Sequence, residues 1–153
     1  NKKEVTVLFD NHLEGKDSLI QVDKEIFIFQ VISNFLTNAA KFSTPGSKVL
    51  ISLLKTATND TLITIRDWGT GIEKGKISKL FSWNEKTSTI GTKGEKGTGL
   101  GLPLANKFIQ DMGGDLKIES HLANQTTPEK QGTLITIMFP HDSIRGSRVN
   151  KVS

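Results

Sequence analysis

Apolar residues along this chain change their period several times, and each change marks an element. Val5, Val7 and Phe9 alternate with polar neighbours, the two-residue repeat of a strand. Leu19 to Val22 reads as a short second strand running into Asp23, a residue suited to cap a helix, with Glu25 in the first turn. Ile28, Ile32, Phe35, Leu36 and Ala39 then recur at helical spacing, predicting a helix over Asp23 to Ser43 with these residues as its apolar face. Phe27, Val31, Asn34, Asn38 and Lys41 form a second stripe at the same spacing, apolar where it begins and polar where it ends. Because the polar half continues a row of bulky apolar residues, partial burial of its two amides and its ammonium is expected. Such a set suits a ligand that brings its own negative charge.

Thr44-Pro45-Gly46 stops that helix. Lys48 to Lys55 and Thr61 to Asp67 read as two strands of a hairpin joined through Asn59-Asp60. Strand parity puts Asp67 on the face of Ile63 and Ile65, so a carboxylate points where the core lies. Burial of that group is costly without hydrogen bonds. Either a ligand or the N–H groups of the following Gly69-Thr70-Gly71-Ile72 turn can supply them. A short helix is predicted over Glu73 to Leu80, with Ile77, Leu80 and Phe81 facing inwards. Ser82 to Thr98 has too few large apolar residues to bury itself and reads as a mobile loop or lid. It runs into Gly97-Thr98-Gly99-Leu100-Gly101 and a helix whose apolar face is Leu104, Ala105, Phe108, Ile109 and Met112, ended by Gly113-Gly114. Strands around Leu116 and Ile118 and around Ile135, Ile137 and Phe139 complete the pattern. The predicted fold is an α/β (α+β) two-layer sandwich, a mixed and largely antiparallel sheet with its helices on one face. Residues 1–141 form the domain, and 142–153 are expected to be a basic, disordered tail or linker.

At 153 residues the chain fits one domain with a proper core. It carries no cysteine, which excludes disulfides and thiolate metal sites and is compatible with a cytoplasmic location. No apolar run reaches membrane-spanning length, although anchoring of a longer parent protein stays open, since the first residue, Asn1, suggests an excised fragment. The net charge of +4 is spread along the chain, with no basic stripe bearing stacking aromatics, so nucleic acid is not expected as a partner.

A Gly-rich segment opening a helix can cradle phosphate, because free N–H groups and the helix dipole both favour an anion. A Rossmann turn would follow a buried strand directly, and a Walker loop would end in Gly-Lys-Ser/Thr; neither pattern is present. The combination is more specific. An Asn-x-x-x-Asn-x-x-Lys helix, an Asp-x-Gly-x-Gly turn after a strand and a Gly-rich loop before a second helix resemble, in that order, the N, G1 and G2 boxes of the Bergerat ATP-binding fold. Gyrase, heat-shock chaperone ATPases, MutL and histidine kinases share that fold. Within it the chain looks most like the catalytic and ATP-binding domain of two-component sensor histidine kinases. Asn34-Phe35-Leu36-Thr37-Asn38-Ala39-Ala40-Lys41-Phe42-Ser43 is similar to their N box, Asp67 to Ile72 to G1, Leu80-Phe81 to the start of the F box, and Gly97 to Gly101 to G2. Gly113-Gly114 and Gly132-Thr133 match turns of the C-terminal half, so the resemblance spans roughly Glu4 to Pro140.

The resemblance implies ATP and Mg²⁺ as cofactors and a γ-phosphoryl transfer to histidine. Asp67 would accept from the adenine amino group, Gly69 and Gly71 would let the backbone approach the base, and Ile72 and Phe42 would wall it. Asn38 would give an oxygen to Mg²⁺, Asn34 would sit one turn away near metal and phosphates, and Lys41 would neutralise phosphate oxygens. Gly97, Thr98, Gly99, Leu100 and Gly101 would wrap the phosphates, and Thr133 would reach the adenine through water. Two departures stand out. Asn84 replaces the second aromatic of the F box, and the lid lacks the usual arginine, leaving Lys86 at a plausible offset with Lys93 and Lys96 behind it. His12, His121 and His141 read as surface histidines, so the phosphoacceptor is expected on a separate dimerisation and histidine-phosphotransfer domain, and a response-regulator receiver as the onward partner. The fragment itself is expected to be monomeric. A nucleotide-binding sensing module without turnover and an anti-sigma-type serine kinase of the same fold are the alternatives.

Overall fold

The computed structural model describes residues 4–13, 22–82 and 100–141. Five strands lie in the order β1-β2-β3-β5-β4: β1 (Thr6–Asn11), β2 (Lys48–Lys55), β3 (Thr61–Asp67), β4 (Asp115–His121) and β5 (Gly132–Phe139). β1 pairs parallel with β2 and the other pairings are antiparallel. The hairpin bounds expected for β2 and β3 match the observed ones, and Asn59 takes positive φ in the turn. The expected strand at Leu19 to Val22 falls on residues outside those described, apart from Val22, which belongs to no strand. The proposed tail, 142–153, lies outside them too. Among the described residues no helix is long and apolar enough to cross a membrane.

Three rows of side chains cross the sheet on its helix-facing side, and pairing fixes their membership. Leu53, Ile63, Ile137 and Leu116 form one row, and Ile51, Ile65, Ile135 and Ile118 the next. Each pair contributes by apolar contact across the ladder. The third row, at the C-terminal end of β3, is polar in its middle and continues as Val49, Asp67, Thr133 and Ser120.

The helix over these rows, α1 (Ile26–Ile32 continued by Ser33–Phe42), departs from the sequence-based expectation. Asp23 does cap it, its Oδ1 accepting the Ile26 N–H at 3.0 Å. Over Ile26–Ile32, however, the turns are wide: the Ser33 N–H donates to the Ile28 carbonyl five residues back, before ordinary α-helix follows over Ser33–Phe42. Wider turns rotate the apolar face. Phe27, Val31, Phe35 and Ala39, four apart, are the buried residues, whereas Ile28 is 44% exposed and does not belong to the core face. The expected face counted Ile28 in because a period of 3.6 was applied to a segment wound more loosely.

Helix α2 is one α-turn, Lys74–Ile77, followed by a tighter turn over Ser78–Phe81 that buries Leu80. Helix α3, Gly101–Asp111, buries Pro103 and sends Ala105 and Ile109 into the same core with Leu102, Phe108 and Met112 against it, so Leu102 takes the place expected for Leu104 on the packed face.

The rotated face makes a direct prediction. Phe27→Ala, which removes an edge-to-face contact with Phe139 at 5.8 Å between ring centres, should cost about 3–5 kcal/mol in urea unfolding. Ile28→Ala should cost no more than about 0.5 kcal/mol; the reverse order would place the wide turns wrongly.

Candidate functional site

Asp67 ends β3 in the third row with its side chain buried. Its Oδ1 accepts the Gly69 N–H at 2.9 Å and the Thr133 N–H at 3.2 Å. Among the described residues neither bond reaches Oδ2, which keeps its lone pairs. Burial pushes the Asp67 carboxyl above the usual aspartate range, and the two N–H bonds and the Arg66 charge pull the other way. The turn of Gly69 thus supplies part of what a buried carboxylate needs, and leaves one oxygen for something else.

The turn behind Asp67 is wedged between α1 and the β4–β5 hairpin. Thr70 N–H donates to the Phe42 carbonyl at 3.1 Å, and Ala123 N–H to the Thr70 carbonyl at 3.2 Å. A Cβ on Gly69 would lie 2.5 Å from the Phe42 carbonyl oxygen, so glycine is required there by packing against the helix end. Gly71, at φ +74, backs onto the His121 carbonyl in the same way. Ile72, half-buried, follows with its N–H on the Ser120 hydroxyl at 2.8 Å.

Along α1, Asn34, Asn38 and Lys41 are half-buried, as the mixed stripe predicted. Asn34 donates through Nδ2 to the Gln30 carbonyl, four residues back where the wide turns give way to α-helix. Its Oδ1 faces the start of α3, where a Cβ on Gly101 would come within 2.6 Å. Asn38 has no side-chain hydrogen bond among the described residues. Lys41 holds its ammonium 5.0 Å from the centre of the Phe42 ring. α1 therefore touches the Asp67 turn through Phe42 and the α3 N-terminus through Asn34. Of the glycine-rich loop, Leu100 and Gly101 belong to this assembly, with Leu100 exposed. Gly97, Thr98, Gly99, Lys86, Lys93 and Lys96 lie outside the described residues, as does the rest of the lid after Ser82.

Thr133 meets Asp67 through its main chain and Ser120 through its hydroxyl, 2.9 Å away. Ser120 also donates to the Gly132 carbonyl at 3.0 Å. Gly132, at φ +95, brings its backbone so close that a Cβ would sit 2.2 Å from the Asp67 carbonyl oxygen. Gln131 Nε2 donates to the Trp68 carbonyl at 3.2 Å, while Arg66 stacks over Trp68 at 5.2 Å and donates to the Gln131 carbonyl at 2.7 Å. Sequence reasoning missed Ser120, Gln131 and Arg66. Parity along β4 puts Ser120 on the face of Leu116 and Ile118, a signal that was present but not used.

The histidines stand where surface histidines were expected or at a turn. His12 is exposed and paired with Asp10 at 2.8 Å, His121 is exposed at the end of β4, and His141 packs onto the β2–β3 turn through Asn59 and Asp60. Among the described residues no cluster of three His, Asp or Glu could hold a metal.

The family described as histidine kinase-, DNA gyrase B- and HSP90-like ATPase matches residues 23–143. The sensor histidine kinase WalK of Bacillus subtilis is 33% identical over 140 residues, which cover 91% of this chain and 22% of WalK. The chain thus spans about a fifth of that relative's length. By fold it is similar to the catalytic domain of histidine kinase ThkA (TM-score 0.68, 24% identity, covering 90% of this chain and 79% of that one). It is similar also to full-length ShkA in complex with AMPPNP (TM-score 0.63, 21% identity, 90% and 26%).

The raised Asp67 pKa fixes a pH prediction. A carboxyl protonated more readily in the folded than in the unfolded chain lowers stability as pH rises through its folded pKa. Asparagine keeps an oxygen for the Gly69 and Thr133 N–H groups without the charge. The melting temperature of Asp67→Asn minus that of the wild type should therefore increase from pH 4 to pH 7; a flat or falling difference would contradict the burial cost.

Proposed function

The chain belongs to the histidine kinase-, DNA gyrase B- and HSP90-like ATPase family, and on that footing we propose that it binds Mg-ATP and donates the γ-phosphoryl group to a protein histidine. The observation that carries this reading is Asp67: a buried carboxylate with one oxygen held by two main-chain N–H groups and the other, among the described residues, left to accept. An adenine amino group is a fitting donor for that oxygen. In this reading Ile72 and Phe42 would wall the base, and Gly69 and Gly71 would let the backbone approach it.

Asn38, Asn34 and Lys41 fit the phosphate end. The Asn38 amide offers a hard, neutral oxygen for Mg²⁺, whose other ligands would come from the triphosphate and water. Mg²⁺ would supply charge neutralisation on the phosphates. Asn34, oriented by its bond to Gln30, presents Oδ1 towards the α3 N-terminus, where main-chain N–H groups and the dipole favour phosphate. Lys41 adds a point charge from the last turn of α1. Positioning and neutralisation are the main demands of phosphoryl transfer, and these groups answer both. Lys86 and the segment from Gly97 to Gly99 are assigned to the lid and phosphate loop on sequence grounds.

The acceptor histidine belongs in this reading to a dimerisation and histidine-phosphotransfer domain, and the onward receiver to a response regulator. Support comes from WalK, a sensor histidine kinase by name, and from ShkA, whose structure holds AMPPNP. The domain bounds proposed are 1–141, with 142–153 as tail or linker, and the location proposed is cytoplasmic.

Titration calorimetry with Mg-ATP should give one site, and Asp67→Asn should weaken it about 10–100-fold, because asparagine turns a donor towards the adenine amino group. Incubation with labelled ATP and a dimerisation-helix domain should give acid-labile phosphohistidine. Acid-stable phosphoserine would favour the anti-sigma-type kinase instead, and binding without transfer would favour a sensing module.

A further inference from the structure

The two edges of the sheet are guarded unequally. At one edge, β4 alternates exposed Asp115, Lys117, Glu119 and His121 along its length, with Lys117 paired to Glu119. Charges so placed discourage pairing with another chain. At the other edge, β1 carries neither charge nor proline over Thr6-Val7-Leu8-Phe9. All six of its residues are exposed, Phe9 at 63%, Val7 at 52% and Leu8 at 42%. Val7 and Phe9 sit on the helix-facing side, beside Val49 and Ile51, yet no described helix covers them. The bonds to β2 show which main-chain groups are left over. Thr6 N–H donates to the Ser47 carbonyl at 3.0 Å and His12 N–H to the Leu53 carbonyl at 2.9 Å, so the even-numbered residues turn their polar backbone towards β2. Alternation turns the N–H and C=O groups of Val7 and Phe9 to the bare edge.

In place of the monomer expected from sequence, we propose that β1 is a homodimer interface, pairing antiparallel with β1 of a second copy about a two-fold axis at Leu8. The inference stands apart from the nucleotide-binding reading. Parity and charge select this register. Val7 faces Phe9 of the partner subunit and exchanges both main-chain bonds with it, burying the two most exposed residues of the strand against each other. Leu8 meets Leu8 of the partner subunit on the open face of the sheet. Asp10 faces a hydroxyl donor, Thr6 of the partner subunit, and Glu4 faces an imidazole, His12 of the partner subunit. The pattern is self-complementary, as a two-fold interface requires. An axis at Val7 would set Glu4 against Asp10, like charges directly opposite. An axis at Phe9 would press the Asp10 carboxylate onto Leu8. An axis between residues would set Val7 and Phe9 against side chains of the other face.

The test is sedimentation equilibrium of the 153-residue chain from about 10 μM to about 0.5 mM, the range in which a small interface of this kind would associate. The wild type should pass from monomer to dimer as concentration rises. Val7→Pro removes an N–H that the monomer leaves unused, and it should raise the midpoint about tenfold or more with the circular dichroism spectrum unchanged. Because the chain has no cysteine, a single thiol reads the position of the axis. Oxidised Leu8→Cys should give a disulfide-linked dimer, since residues opposite in a non-hydrogen-bonded pair have Cα atoms about 4.5 Å apart. Val7→Cys and Phe9→Cys should stay unlinked. This second measurement decides the matter even if Val7→Pro does not fold. A wild type that is monomeric throughout overturns the proposal. So does a dimer indifferent to Val7→Pro, or cross-linking that is faster at Val7 or Phe9 than at Leu8.

Discussion

A carboxylate buried at the end of a strand is the constraint from which the rest of this molecule follows. Two aliphatic rows fill the helix-facing side of the sheet, and the third sets Asp67 between Val49 and Thr133. An ion in that position is stable only if hydrogen bonds replace the water it loses. Two N–H groups do so at one oxygen, one from the next turn and one from the neighbouring strand. The backbone must crowd the carboxylate to deliver them, which is why Gly69 and Gly132 have no room for a Cβ. The remaining oxygen, which accepts no hydrogen bond among the described residues, is then held in a buried corner, a property that random surface carboxylates lack.

The second half of the site is organised by α1. Its wide turns keep Phe27, Val31, Phe35 and Ala39 in line over the sheet. Asn34, Asn38 and Lys41 are thereby held at the margin of the core, where a side chain is ordered by packing yet retains polar contact. The Asn34 bond to Gln30 joins the two kinds of helical turn and aims its oxygen at Gly101. In the proposed reading one element, α1, serves both ends of the nucleotide, with the Phe42 carbonyl as its link to the Asp67 turn.

Local physics made much of this legible in the sequence. Parity alone put Asp67 on the core face, since alternation in a strand is independent of what surrounds it. The hairpin bounds followed from β-branched runs around Asn59-Asp60, and the ending of α3 from Gly113-Gly114. What sequence did not reveal depends on non-local pairing or on departures from ideal winding. Periodicity assigns Ile28 to the core face because it assumes 3.6 residues per turn, and the wide turns carry that residue outwards. Ser120 was passed over because β5 inserts between β3 and β4, and only that order sets Thr133 between Asp67 and Ser120. The glycines of the Asp67 turn were read for a ligand, whereas their closest neighbours are the Phe42 and His121 carbonyls.

The central claim is that one nucleotide is gripped jointly by the Asp67 turn and by α1. Backbone and side-chain amide NMR spectra of the chain, titrated with Mg-ADP, test it most directly. The expected result is that the amides of Gly69, Ile72 and Thr133 and the side-chain NH₂ groups of Asn34 and Asn38 shift together along one saturating curve, while Lys117 and Leu62 on the opposite sheet face stay in place. Shifts confined to one of the two groups, or distributed over both faces of the sheet, would contradict it.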